Sequence, residues 1–147
     1  MSVQYLHPGN FALVMATGII SIGMKLIGNT VLADILFLFA VCAWLTLIVL
    51  SLMRLLRFAT QLRDELLNPR MVFAYFTLVA ATDIVGMLLL DRGYSSLAIA
   101  CWIIAFGAWC SLLYLAFSVL TFLSHEHNVN IVHGGWLITI VGTQSLV

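Results

Sequence analysis

Asp83 is the only ionisable residue deep inside an apolar stretch of this chain, with Arg70 and Asp91 its nearest charged neighbours in sequence. A charge at mid-membrane costs roughly 2.5–3.5 kcal/mol on insertion scales, so such a residue is normally functional or paired. Two readings stand. Asp83 is a candidate protonation site at or near a solute path, or a neutral acid hydrogen-bonded to a neighbouring hydroxyl or carbonyl. Beside an anion path an ionised Asp83 would repel the solute, so transport of an anion would require its proton and would depend on pH.

A second set of residues is polar without charge. Asn10, Thr17 and Ser21 share one face of a helix by their spacing, with Gly18 and Gly23 close by and Ala12 and Ala16 as a small pair. The theme recurs at Thr77, Ala81, Thr82 and Gly86, and again at Gly135, Thr139 and Thr143. Lipid offers a hydroxyl no partner, so these faces turn toward protein or water. They either line a path or grip neighbouring helices.

Other chemistry finds no support. Cys42, Cys101 and Cys110 lie inside apolar runs without metal-ligand or disulfide spacing and read as small hydrophobes. His7, His125, His127 and His133 fall outside those runs, so no imidazole projects from a span toward a haem. His125, Glu126 and His127 read as a solvated loop, and no metal site or cofactor is expected. No serine-hydrolase, zinc-protease or paired-aspartate motif is present, so the expectation is a protein that is not an enzyme.

The elements that must position these residues are membrane spans. Of the 147 residues, 63% are hydrophobic and 8% charged, with a mean hydropathy of +1.14. About a quarter of a soluble domain is charged, so this composition cannot cover a globule in water. The net charge is zero, which leaves no electrostatic footprint for nucleic acid. The partner is the lipid bilayer. Crossing its core takes about 20 apolar residues. Residues 11–27, 32–56, 71–90 and 97–123 are read as four full spans, and 136–147 as a truncated fifth. The expected fold class is all-α, a polytopic transmembrane helix bundle in a single domain. The fifth run covers only about 18 Å at the helical rise, which predicts that the chain is part of a longer protein.

Local signals agree with these limits. Pro8 precedes the first run, where its missing N–H costs nothing, and Asn68-Pro69 breaks the backbone before the third. Trp136 stands at a helix entrance, where an interfacial anchor belongs. No basic residue precedes the first run, so it reads as a retained helix rather than a signal peptide. Arg54, Arg57, Arg63 and Arg70 flank the second connection, which the positive-inside rule places in the cytoplasm along with the N-terminus. Phe58, Leu62 and Leu66 predict an amphipathic extension of the second helix near the headgroups.

The segment from Pro8 to Ser21, with Pro8, Phe11, Met15-Ala16-Thr17-Gly18 and Ser21, resembles the opening helix of the tellurite-resistance/dicarboxylate transporter family. That family holds bacterial tellurite-resistance membrane proteins, fungal malate and sulfite carriers and plant slow anion channels. Arg63 to Pro69 resembles the link before its third helix, and Gly135-Trp136-Leu137-Ile138 through Gly142 the opening of its fifth. Ala16 replaces the usual first glycine of Met-Gly-Thr-Gly, Asn68 a common histidine, and Gly134-Gly135 the prolines that often precede the tryptophan.

The resemblance implies ten helices in five hairpins, odd-numbered helices lining a central path, and a trimer. It implies a multi-pass protein of the cell membrane that moves a small anion, with C4-dicarboxylate, sulfite or a related oxyanion as the candidates. On that reading Asn10, Thr17, Gly18, Ser21, Thr77, Thr139 and Thr143 line the solute path. Hydroxyls and backbone dipoles would replace part of the anion's water shell. The competing reading is a non-transporting membrane subunit whose small-residue faces only pack.

Overall fold

The computed structural model describes residues 8–57, 72–123 and 137–145. The described residues are helical throughout apart from short turns, with no strand among them. A 3-10 turn, Pro8–Asn10, leads into α1 (Phe11–Leu26), and α2 follows (Thr30–Arg57). A second 3-10 turn, Val72–Tyr75, opens α3 (Phe76–Leu90); α4 (Ser95–Leu123) and α5 (Leu137–Gln144) complete the set. The amphipathic extension at Phe58–Leu66, the Asn68-Pro69 break, Arg63, Arg70, all four histidines and Trp136 lie outside the described residues.

Three helices are long and apolar enough to cross a membrane: Thr30–Arg57, Val72–Leu90 and Ser95–Ser118. The first helix, expected as a full span, has 16 residues, or about 24 Å of rise, short of a bilayer core. Helix starts also differ from the limits of the apolar runs. The second run opens at 32 by hydropathy, but α2 begins at Thr30 because the Asn29 side chain receives the Leu32 N–H at 3.3 Å. Capping decides where a helix begins. Hydropathy decides only where its side chains become apolar.

Two hairpins are closed by the same device. Gly28 and Gly93 take positive φ, at 89° and 85°. After α1, Gly28 N–H bonds to Lys25 O and Asn29 N–H to Met24 O; after α3, Gly93 N–H bonds to Leu90 O and Tyr94 N–H to Leu89 O. Both are Schellman ends, in which a left-handed residue lets two N–H groups turn back onto the last carbonyls. Each then sends the chain straight into the next helix.

Charged pairs join the two hairpins at this end. Lys25 Nζ meets Asp91 Oδ2 at 2.7 Å and donates to Asp91 O at 3.0 Å. Arg92 meets Asp34 Oδ1 at 2.7 Å, reaches the Leu88 and Ala33 carbonyls, and sits 3.8 Å over the Phe37 ring. The opposite end of α2 carries Arg54, which is buried, and Arg57, which is exposed.

Helix α3 is the hub. It packs on α1, α2, α4 and α5, and ten of its 15 residues are buried, against three along all of α2. Its apolar surface is like that of α4, so contacts with its neighbours rather than hydropathy put it in the middle. By contrast, α2 and α4 turn Leu38, Leu45, Ile103 and Ile104 outward.

Glycines set three of the seams. A Cβ on Gly18 of α1 would collide with Ile84 Cγ2 of α3. One on Gly86 of α3 would stand 3.3 Å from Cys101 Cβ of α4, and one on Gly142 of α5 would stand 3.2 Å from Phe76 of α3. Lipid tails are as apolar as the side chains, so helices associate in membranes by close backbone approach, which small residues permit. Ala98, Cys101 and Ala105 form the buried face of α4. The small residues of α4 therefore serve its contact with α3, while Gly107 and Ser111 are exposed.

Indoles tie the outer helices to the inner ones. Trp44 Nε1 of α2 donates to Thr82 Oγ1 of α3 at 3.2 Å, and Trp109 Nε1 of α4 donates to Thr143 Oγ1 of α5 at 3.3 Å. Trp102, by contrast, faces outward and stacks on Phe106 with ring centroids 5.4 Å apart.

Candidate functional site: the Asp83 pocket and the hydroxyl flanks

Three helices build the pocket around Asp83. Asp83, Gly86 and Leu90 fall on one face of α3 by their three- and four-residue spacing. Gly86 admits α4 closely, and Gly142 lets α5 lie against Phe76. This places Ser145, just past the end of α5, beside the carboxyl group: Ser145 Oγ and Asp83 Oδ2 are 2.8 Å apart. Ser145 Oγ also lies 3.0 Å from Gly142 O. The second carboxyl oxygen, Asp83 Oδ1, is buried and has no hydrogen-bond partner among the described residues. Asp83 itself is 4% exposed.

Next to this pair is a cavity of about 230 Å³ lined by Asp83, Gly86, Leu90, Ala98, Trp102 and Ser145, with Met87 and Ile99 at its sides. Liquid water takes about 30 Å³ per molecule, so the space admits several waters or one small ion. A larger hollow of about 510 Å³ lies between α1 and α2, where Gly9, Asn10, Leu13, Phe39, Thr46 and Leu47 meet.

The polar stripes are placed unevenly. Asn10 is exposed and lines the α1–α2 hollow. Thr17 is half-buried and donates to Leu13 O of its own helix at 2.8 Å. Gly18 is buried against α3, and Ser21 is buried and donates to Ala33 O of α2 at 2.7 Å. Thr77 is buried and donates to Ala74 O at 2.6 Å. Thr143 is exposed and accepts the Trp109 indole N–H. Thr139 belongs to α5, but its side chain lies outside the described residues. Neither cavity is lined by Thr17, Thr77 or Thr143.

Ser145 carried no signal in the sequence. It sits 62 positions from Asp83, and only the packing of α5 against α3 brings the two together. Thr82 differs, because it belongs to a recognised stripe; its hydroxyl donates to Leu78 O and receives the Trp44 indole.

The sequence profile of the voltage-dependent anion channel family matches residues 5–147, nearly the whole chain. The chain belongs to that family. It is the tellurite-resistance family that the opening helix resembles, and its members are channels or transporters of anions in membranes rather than enzymes. Comparison with curated proteins and with solved structures returned no match. Within the voltage-dependent anion channel family, then, this chain is a helical membrane protein in which the helix bearing Asp83 is central and the hydroxyl-bearing α1 and α5 both pack against it.

Proposed function

We propose that the protein conducts a small anion across the cell membrane, with C4-dicarboxylate, sulfite or a related oxyanion as the solute. The family match over residues 5–147 carries this reading. The path follows the odd-numbered helices. Asn10, Thr17, Thr139 and Thr143 face the solute, while Gly18, Ser21 and Thr77 form the wall that holds α1 and α3 in place. The division follows from burial. Ser21 and Thr77 are buried, whereas Thr17 and Thr143 lie at more open positions. Asp83 is the protonation site beside this path.

The full protein, on this reading, has ten helices and forms a trimer, and α1 with its leading turn makes the first of four full spans. On the same reading the N-terminus is cytoplasmic, supported by the positive-inside bias of Arg54, Arg57, Arg63 and Arg70. A second reading, a membrane subunit that only packs, is favoured by one observation: the Ser21 hydroxyl and Gly18 are both spent on contacts with neighbouring helices.

Flux through the full-length protein in proteoliposomes separates the two. Malate, sulfite and chloride are compared at an acidic and a neutral pH. At least one is expected to cross well above the rate in empty vesicles. Absence of flux for all three at both pH values ends the anion proposal.

A further inference from the structure

The hydrogens available at the Asp83–Ser145 contact do not suffice for an ionised carboxylate. Ser145 Oγ has one hydrogen and two acceptors within reach, Asp83 Oδ2 at 2.8 Å and Gly142 O at 3.0 Å. A hydroxyl donates once and accepts twice. If Asp83 is ionised, Ser145 satisfies either the carboxylate or the carbonyl, and the other is left without that donor. If Asp83 is protonated on Oδ2, the acid donates to Ser145 Oγ and Ser145 donates onward to Gly142 O. Both short contacts are then real hydrogen bonds.

The orphaned Oδ1 points the same way. Burying a neutral carbonyl-like oxygen without a partner costs far less than burying part of an anion. No cation offsets such an anion: among the described residues, α3 has no other ionisable group and α5 has none. From α4 the titratable neighbour is the Cys101 thiol, opposite Gly86. On α2, Trp44 is engaged with Thr82, and the buried Arg54 lies in the last turn, at the end opposite Asp34. Lys25 and Arg92 are held by Asp91 and Asp34 at the hairpin ends.

We propose that Asp83 is a proton-carrying latch: as a neutral acid it donates to Ser145, which donates onward to Gly142 O, and losing that proton breaks this relay and leaves a charge in the pocket. The proton passes to water in the adjoining cavity, leaving a carboxylate. Ser145 Oγ–H then turns either to the carboxylate or to Gly142 O, and one of the two bonds is lost. The consequence for transport rests on the anion reading above. The deprotonated state places a negative charge beside the path, so flux falls as pH rises.

Infrared spectroscopy of the full-length protein in vesicles tests the latch without reference to transport. A protonated-carboxyl C=O band is expected at the acidic pH of the flux comparison, lost in Asp83→Asn and moved to higher frequency in Ser145→Ala, where the hydrogen bond is gone. No band lost in Asp83→Asn, or no movement in Ser145→Ala, overturns the proposal. In the flux arm, Asp83→Asn keeps an uncharged donor to Ser145. It is expected to remove the difference in flux between the two pH values. Wild-type flux that does not change with pH overturns the deprotonation step. Absence of any flux while the band behaves as expected refutes the anion reading and leaves the latch standing.

Discussion

Gly18→Val is expected to destabilise the protein by about 2–3 kcal/mol, the scale of an overpacked contact. Even the first added carbon collides with Ile84 Cγ2, and Leu88 Cδ1 stands 3.3 Å away on the other side. Ile84 is β-branched and stiff about its first torsion, so it cannot swing clear cheaply. Either α1 backs away from α3 or Ile84 leaves its preferred rotamer. Gly23 lies on the same helix with nothing within 4 Å of its Cβ position, so Gly23→Val is expected to change stability by less than about 0.5 kcal/mol. Reversible unfolding of the full-length protein in mixed micelles measures both. Ile84→Ala should recover part of the loss in Gly18→Val, as contacting pairs do in a double-mutant cycle. Equal effects at Gly18 and Gly23 would mean that α1 and α3 do not pack as described.

Arg92→Ala is expected to cost about 1–3 kcal/mol, more than Lys25→Ala. Both residues make an ion pair at 2.7 Å, so the distance does not separate them. Burial and number of partners do. The Arg92 side chain is 12% exposed, against 37% for Lys25. It holds Asp34, the Ala33 carbonyl of α2, the Leu88 carbonyl one turn back and the face of Phe37 at once. A cation over an aromatic face contributes about 0.5–2 kcal/mol, while an exposed ion pair contributes about 0–1 kcal/mol and is screened by salt. The same unfolding measurement, repeated at low and high salt, should show the Lys25 effect shrinking and most of the Arg92 effect persisting. Arg92→Lys keeps the charge but loses the planar fork, and should fall between. A larger loss at Lys25 than at Arg92 would contradict this account of the hairpin ends.

Several features were legible in the sequence because they depend on one stretch of chain. The apolar runs of α2, α3 and α4 stand out by composition, and Asp83 stands out because a carboxyl group there is costly. Thr17 and Ser21 share a face by simple helical spacing. What each of those hydroxyls does was not legible, since a stripe reads alike whether it meets water or a neighbour's carbonyl. Ser21 meets Ala33 O, 12 residues away across the hairpin. Ser145 meets Asp83 through the packing of α5, which no local pattern announces. Lys25 and Arg92 show no local pattern that announces the acidic partner tertiary structure gives each of them. The central position of α3 is likewise a property of the assembled bundle. Its sequence is apolar on every side, and only packing decides which apolar helix lies inside.

The central claim, that the open hydroxyl flanks of the odd-numbered helices border a watery anion path, is most directly tested by cysteine accessibility in the full-length protein. Cys42, Cys101 and Cys110 are first replaced, and single cysteines are then placed at Thr17, Thr143 and outward-facing Ile103. A charged, membrane-impermeant thiol reagent is expected to modify the first two, to block flux when it does, and to leave Ile103→Cys untouched. Labelling at Ile103 alone, or none at Thr17 and Thr143 in protein that still transports, would contradict the claim.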